Sequence, residues 1–336
     1  MTQPVRRPSA RVVIVNWRQA ELTIRAACSI RKQLGGEDVL VIVDNASGDG
    51  SAERLRQEGL TVVESSENRG FGAGVNLGAR GMVEEVLVLL NNDAVAEPGF
   101  LEALLAPLGD PPSAAAPAAT TARILLAGRW KPAAPGQRDA LVSPRTGRWT
   151  RLDEEATARG EGEVLVNSTG NLVDASGNGY DRDWLVPAGQ EHSPSEVFGL
   201  CGGACAIRRE AWQALRGFRE DLFMYYEDTD LSWRLRERGW RVLYVREAVA
   251  RHDHASSSGT DSPMFIQVNV RNRILTAAAH SPAPVVMQAL ARTLVRTLRG
   301  PQRGPVLRGL TQALTGLPRE LRQRTRGSAR GSARSR

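Results

Sequence analysis

Between Val12 and Asp93 the chain repeats one pattern four times: a short apolar run, a polar cluster at its carboxyl end, then helical spacing. Val12–Val15 leads into Asn16 and Trp17, and Val39–Val43 into Asp44, Asn45 and Ser47. Leu60–Glu64 leads into the loop from Asn68 through Gly70 to Asn76, and Val86–Leu90 into Asn91, Asn92 and Asp93. Short continuous apolar runs mark parallel strands buried on both faces. Helices are expected between them, from about Gln19 to Leu34 and from Ser51 to Glu58. The expected fold class is therefore α/β, a Rossmann-like, mostly parallel sheet flanked by helices. Ligands of such sheets bind outside the carboxyl ends of the strands, where each polar cluster falls.

The stretch Gly217–Val245 carries the most reactive composition. An apolar and aromatic run, Leu222–Tyr226, ends in three acids, Glu227, Asp228 and Asp230, and then a helix reaches Gly239. Acids at a helix start satisfy free N–H groups, with Asp228 as N-cap and Asp230 just inside. Capping does not call for three acids against Phe223, Tyr225 and Tyr226. Burial and mutual repulsion there should raise a carboxylate pKa, as general-base chemistry requires. Gly202 and Gly203 are small enough for a ligand, or merely a neighbouring backbone, to approach closely. Asp93 can supply the carboxylate that holds Mg²⁺ or Mn²⁺ on a diphosphate, or can close an ordinary Asn/Asp turn. His252 and His254, two apart after a strand and before a Ser/Gly loop, suit metal or phosphate. Gly70, Gly72 and Gly74 do not make the dinucleotide fingerprint, yet their loop can turn N–H groups toward a diphosphate.

Charge is unevenly placed. The chain carries +7, but from Arg292 to Arg336 there are twelve Arg against Glu320 alone, a net +11 that leaves −4 for the rest. The main body thus offers no platform for nucleic acid. Three cysteines form no disulfide framework or zinc spacing, which fits a reduced, cytoplasmic compartment. The first residues lack a signal peptide's apolar core, and no run is long enough to span a membrane. Residues 107–162, rich in Pro, Ala and polar groups, are expected to form a surface insertion. From Pro284 onward, Leu290, Leu294 and Leu298 share one helical face opposite Arg292, Arg296, Arg299 and Arg303. That pattern suits either an interfacial helix or one docked on the core. The Gly/Ser/Arg-rich end is expected to be disordered.

In order, VVIVNW (12–17), VIVDNASGDGS (41–51), ENRGFGAGVNLGA (67–79), LVLLNNDA (87–94), GGACAIRREAW (202–212), GFREDLFMYYEDTDLSWRLRERGW (217–240) and RHDHASSSG (251–259) resemble family 2 glycosyltransferases. The likeness is to the rhamnosyltransferase-like branch of bacterial cell-surface polysaccharide synthesis. It implies a GT-A catalytic domain over 1–282, with 283–336 a basic helical tail. It further implies a nucleotide-diphosphate sugar donor, a divalent cation (Mn²⁺ or Mg²⁺), and inversion at the anomeric carbon. By motif, Asp44 would bind the donor's base, with Asn16, Asn45, Asn68, Gly70, Asn76, Asn91 and Asn92 around the donor. Asp93 and His252 would face metal or pyrophosphate. Asp228 would be the general base and Glu227 its orienting partner, with Gly202, Gly203 and Asp230 on the acceptor side. Asn91-Asn92-Asp93 has one carboxylate fewer than the fullest form of the family's DXD motif. The implied acceptor is a glycan or lipid-linked hydroxyl at an anionic membrane surface, reached through the tail, and dTDP-L-rhamnose is the first donor to test. A sugar-phosphate nucleotidyltransferase would need a basic Gly-rich signature after the first strand, where Asn16-Trp17-Arg18 stands. A non-catalytic homologue is the other alternative.

Overall fold

The computed structural model describes residues 6–109, 116–253, 262–300 and 302–332. The first part alternates β1 (Ala10–Asn16), α1 (Ala20–Arg31), β2 (Val39–Asp44), α2 (Ser51–Gln57), β3 (Val62–Glu64), α3 (Phe71–Gly78) and β4 (Val86–Leu90). Next come β5 (Ala94–Ala96), α4 (Phe100–Leu105) and β6 (Ala119–Leu126). An outlying group follows: β7 (Trp130–Pro132), β8 (Leu141–Ser143), β9 (Gly147–Arg151) and α5 (Glu154–Ala158). Then come β10 (Val166–Ser168), β11 (Asn171–Val173), β12 (Gly179–Asp181), β13 (Glu196–Val197), β14 (Ala204–Arg208) and α6 (Arg209–Leu215). After these stand α7 (Glu227–Glu237) and β15 (Val242–His252). Three helices close the described chain: α8 (Pro263–His280), α9 (Ala283–Arg299) and α10 (Arg303–Ser332).

The central sheet has the order β13-β15-β6-β14-β4-β1-β2-β3, with β10 beside β6 and β5 beside β15. β3, β2, β1 and β4 are parallel. β14 runs against both β4 and β6, and β15 runs parallel to β6. Six strands therefore point the same way and end along one edge of the sheet, with β14 reversed among them. Alternation splits the core in two. Ile14 and Val88 pack with Ala26 of α1 and Phe100 and Leu104 of α4. Val13, Leu87 and Leu89 pack on the other face, with Val75 of α3, Trp212 of α6 and Leu231 of α7.

The expected surface insertion begins later than the composition suggested. Ala119–Leu126 is a central strand between β14 and β15, and only its N-terminal flank, residues 110–115, lies outside the described residues. Its Ala/Thr content hid it, because the polar atoms are satisfied internally. Thr120 Oγ1 donates to the Leu104 carbonyl at 2.8 Å, and Thr121 Oγ1 accepts from Cys201 N–H at 3.1 Å. Residues 130–151 do stand apart, as the three-stranded sheet β7-β9-β8.

The end of the chain also differs. α10 continues to Ser332, through most of the stretch expected to be disordered, and residues 333–336 lie outside the described residues. Its inner face packs on α8, with Val306, Leu310 and Ala313 against Ile266, Val270 and Ile274. Glu320, 3% exposed, receives Arg219 Nη1 and Nη2 at 3.0 and 2.7 Å. On α9 the docked stripe is Val286, Ala289 and Thr293. Leu290 is partly buried beside it, while Leu294 and Leu298 face outward.

Candidate active site

One cavity of about 540 Å³ opens at the carboxyl edge of the sheet. That volume lies within the usual range for small-molecule sites. Asn45, Asn68, Gly70, Asn91, Asn92 and Asp93 line it from the first half of the chain, and Gly202, Gly203, Glu227, Asp228 and His252 from the second. These residues, spread over the length of the sequence, are brought together by the strand order. β14 runs backwards, so Gly203 at its start meets the end of β4, and Asn91 N–H donates to the Gly203 carbonyl at 2.8 Å. β15 ends beside β5, pairing His252 with Ala94. Hence His252 Nε2 stands 2.9 Å from Asp93 Oδ1, while Nδ1 donates to Asn167 Oδ1 at 2.7 Å. Burial disfavours the imidazolium, but the hydrogen bond it donates to Asp93 and the charges of Asp93, Asp181 and Asp253 together outweigh it, and the His252 pKa is raised.

The acids at the start of α7 are held by an unfavourable backbone. Phe223, Tyr225 and Tyr226 all have positive φ, which non-glycine residues rarely adopt. Asn272 of α8, fully buried, compensates by placing Nδ2 2.7–2.9 Å from the carbonyls of Leu222, Met224 and Tyr225. Gly70 completes the clamp: a Cβ there would sit 1.8 Å from the Phe223 carbonyl oxygen. Tyr226, not Asp228, is the N-cap of α7, because the turn ends one residue before Glu227.

The two neighbouring acids differ in their surroundings. Asp228 Oδ2 accepts from Gly202 N–H at 3.0 Å and Oδ1 from Thr229 N–H at 2.6 Å. Burial raises its pKa, and these donors work against the rise. Glu227 is buried with Oε2 unpartnered, and burial with the nearby Asp228 charge pushes its pKa up to about 8. Asp181 on β12 is a third raised acid in the cavity wall, lifted by burial to about 6.

Several expected residues stand elsewhere. Asp230 is 1% exposed and lies on another face of α7, since two residues advance a helix by roughly 200°. It binds Arg234 Nε at 2.7 Å and His280 Nε2 at 3.0 Å. Burial opposes its ionisation, but these partners bring its pKa down to about 2. Asn76 sits too far along α3 to face the cavity, and bonds the Phe218 backbone at both N and O. Asn16 and Asp44 lie beneath the rim. Asn16 Nδ2 donates to Asp44 Oδ1 at 2.7 Å, and Ser47 occupies both Asp44 oxygens. The neighbouring Asn45 does line the cavity, with Oδ1 buried and unpartnered. His254 lies outside the described residues. Asn167, Asn171, Asp181 and Asn272 were missed as site residues. The first three sit in a stretch that reads as turns, and only Asn272, an amide within an apolar helix, carried a visible signal.

Asp93 and His252 fit a hard divalent cation, which takes one or two protein ligands and completes its shell with phosphate and water oxygens. Among the described residues no group of three His, Cys, Asp or Glu side chains gathers to hold a metal, here or elsewhere, so these two residues would need the ligand's oxygens to complete a site.

A mostly parallel sheet with this acid-lined cavity at its carboxyl edge is the GT-A architecture of nucleotide-sugar-dependent glycosyltransferases. The chain belongs to the family described as "Glycosyltransferase like family 2", whose model matches residues 8–273, and is a glycosyltransferase. It is 27% identical over 267 residues to N-acetylglucosaminyl-diphospho-decaprenol L-rhamnosyltransferase of Mycobacterium tuberculosis, covering 72% of this chain and 75% of that one. The fold resembles a mannosyltransferase of Pyrobaculum calidifontis solved with GDP-Man and Mn²⁺ (17% identity, TM-score 0.50, 94% of this chain and 88% of that). It also resembles glucosyl-3-phosphoglycerate synthase of M. tuberculosis, solved with Mn²⁺, UDP and glucosyl-3-phosphoglycerate (16% identity, TM-score 0.50, 82% and 80%).

The raised Glu227 pKa has a consequence for stability. Between the ordinary glutamate value of 4.5 and about 8 the folded protein keeps a proton that the unfolded chain has lost. Stability contributed by neutral Glu227 is therefore present at low pH and lost as pH rises through this window. Glu227→Gln, neutral throughout, should melt increasingly above wild type as pH goes from 5 to 8. Parallel Tm–pH curves for the two proteins would show that Glu227 titrates normally.

Proposed function

We propose that the chain is an inverting glycosyltransferase of cell-envelope polysaccharide synthesis. It moves a sugar from a nucleotide-diphosphate donor, first dTDP-L-rhamnose, to a hydroxyl of a glycan or lipid-linked acceptor. The observation that carries the reading is the convergence in one cavity of raised acids and orphaned oxygens. Glu227 Oε2, Asn45 Oδ1 and Asn171 Oδ1 are all buried acceptors without partners, and all belong to residues lining it. Buried polar atoms left unmatched are costly, so a ligand rich in N–H and O–H groups is the natural complement. The relative's acceptor substrate, lipid-linked by its name, supports the choice of acceptor.

Asp228 takes the acceptor proton as the acceptor oxygen attacks the anomeric carbon. The bond from that carbon to the diphosphate oxygen breaks, and the nucleoside diphosphate departs from the opposite face. The N–H donors of Gly202 and Thr229 favour the ionised form of Asp228 against burial and orient it. Glu227, neutral near pH 7, donates a hydrogen bond that orients the acceptor. A cation held by Asp93 and His252 would neutralise charge on the leaving diphosphate. Asn45 Oδ1 meets the donor's base near Trp17, a half-exposed ring on the rim, while Asp44 and Asn16 set the turn beneath.

Asp228→Asn should leave the fold and donor binding near wild type and lower transfer by about 10²-fold or more. A dead Glu227→Gln beside a fully active Asp228→Asn would reverse the two roles, and two active variants would remove the pair from catalysis. Asp93→Ala should abolish the Mn²⁺-dependent part of nucleotide-diphosphate affinity, with His252→Ala weakening it less. Equal wild-type affinity with and without EDTA would exclude the metal assignment.

No described helix is long and apolar enough to cross a membrane. We place the protein peripherally at the cytoplasmic face of the cell membrane, held by the outer faces of α9 and α10. Leu294, Leu298, Leu307 and Leu314 are 50–63% exposed there, and Arg292, Arg296, Arg299 and Arg308 are exposed on the same two helices. Each Arg near an anionic leaflet contributes up to about 1 kcal/mol, less when screened by salt. Leu298→Glu with Leu307→Glu should stop flotation with phosphatidylglycerol-containing vesicles. Val83→Glu, at the opposite edge of the sheet, should not. Unchanged flotation of the double variant would rule this face out.

A further inference from the structure

The β11–β12 hairpin forms a wall of the cavity, and the roles given above leave it unused. Asn171 and Asp181 are partners across its ladder and both line the cavity. Asn171 is 6% exposed, and its Oδ1 is buried without a hydrogen bond. Its backbone cannot turn to find one, because Asn171 and Gly199 exchange N–H···O bonds of 2.8 and 3.1 Å. The Asp181 carboxyl lies among the side chains of Ser168 and Cys201, and the charges acting on it include Asp228 and His252. It therefore shares the cavity wall with both the acid assigned to the acceptor and the residue assigned to the diphosphate. With the roles proposed above, the sugar being transferred would lie between those two.

The hairpin is rigid at both ends. At its tip Asp174 accepts from Ser176 N–H and Asn178 Nδ2 at 2.7 and 2.9 Å. At its base Arg182, 7% exposed, donates to Thr169 Oγ1 and the Thr169 carbonyl at 2.8 Å, and to the Pro194 carbonyl at 3.0 Å. Fixed acceptors suit a ligand whose hydroxyls are themselves fixed around a ring. They suit a diphosphate poorly, since an amide oxygen and a carboxylate would both repel it.

We propose that Asn171 and Asp181 bind hydroxyls of the donor sugar and so select which sugar is transferred. The assignment rests on reading the cavity as a nucleotide-sugar site. Burial holds Asp181 near the point of protonation, at about 6, so its carboxyl can accept or donate as a given hydroxyl requires. Selectivity follows from the same chemistry: a sugar lacking the matching hydroxyl leaves a buried acceptor unpaired.

The test compares binding of a nucleoside diphosphate with binding of its sugar ester, by calorimetry with Mn²⁺ on the full chain. The probes are dTDP and dTDP-L-rhamnose, UDP and UDP-glucose, and GDP and GDP-mannose. Asn171→Ala and Asp181→Ala should each lower the affinity of the preferred sugar ester relative to its diphosphate by about three- to tenfold. Diphosphate affinity itself should stay within about twofold of wild type. Should an alanine variant not fold, Asn171→Ser and Asp181→Asn carry the same comparison. An unchanged ratio, or an equal loss for diphosphate and ester, overturns the assignment while leaving the donor site intact. A wild type that binds none of the three diphosphates overturns the donor reading, and this subsite with it.

Discussion

Much of the site depends on a turn the chain does not favour. Phe223, Tyr225 and Tyr226 occupy left-handed backbone conformations, each costing on the order of 1–3 kcal/mol, and they do so immediately before Glu227 and Asp228. The turn persists because two distant positions over-determine it. Asn272 gathers three of its carbonyls, and Gly70 leaves room for the Phe223 oxygen. The glycine loop proposed to face the donor and the acids proposed to serve the acceptor are thereby locked to one another. α8 thus supports the site from behind as well as lining its mouth.

The electrostatics follow from that placement. Four carboxyl groups, of Asp93, Asp181, Glu227 and Asp228, face one cavity, and the His252 imidazole is set against Asp93. Burial without enough counter-charge is what raises Glu227, Asp181 and Asp228, and it leaves their protonation sensitive to what enters. Asp230 gives the contrast. It is equally buried and part of the same short acidic run, yet it is paired with Arg234 and His280 and held low. Neighbours in sequence become a reactive pair and a structural anchor because successive residues of a helix face different partners.

The C-terminal helices join the rest of the chain through two kinds of contact. An apolar seam fixes α10 on α8, and Glu320, the single acid in the Arg-rich stretch, is buried on Arg219 a few residues before the Phe223–Tyr226 turn. A tail that composition marks as solvated and basic thus has a docked inner side. Its outer side keeps both the leucines and the arginines.

The repeated β–α pattern was legible because a buried parallel strand must be apolar along its whole length, and the residues ending it must be polar where the sheet opens. That alone placed Asn91–Asp93 and the Asn45–Gly70 loops at a common edge. The acid run and the Gly202-Gly203 pair were legible as chemistry for the same local reason. What the sequence could not show is where a side chain points once elements pack. β6 hid behind Ala and Thr, the threonine hydroxyls being satisfied only by α4 and the loop before β14 once the chain has folded. Asn76, Asn16 and Asp44 looked like ligand contacts, but each is occupied by a partner supplied by the fold. Asn171 and Asp181 carried no pattern of their own. Only the pairing of β11 with β12, and the bridge from Asn171 to Gly199, turns two unremarkable polar residues into a wall of the site.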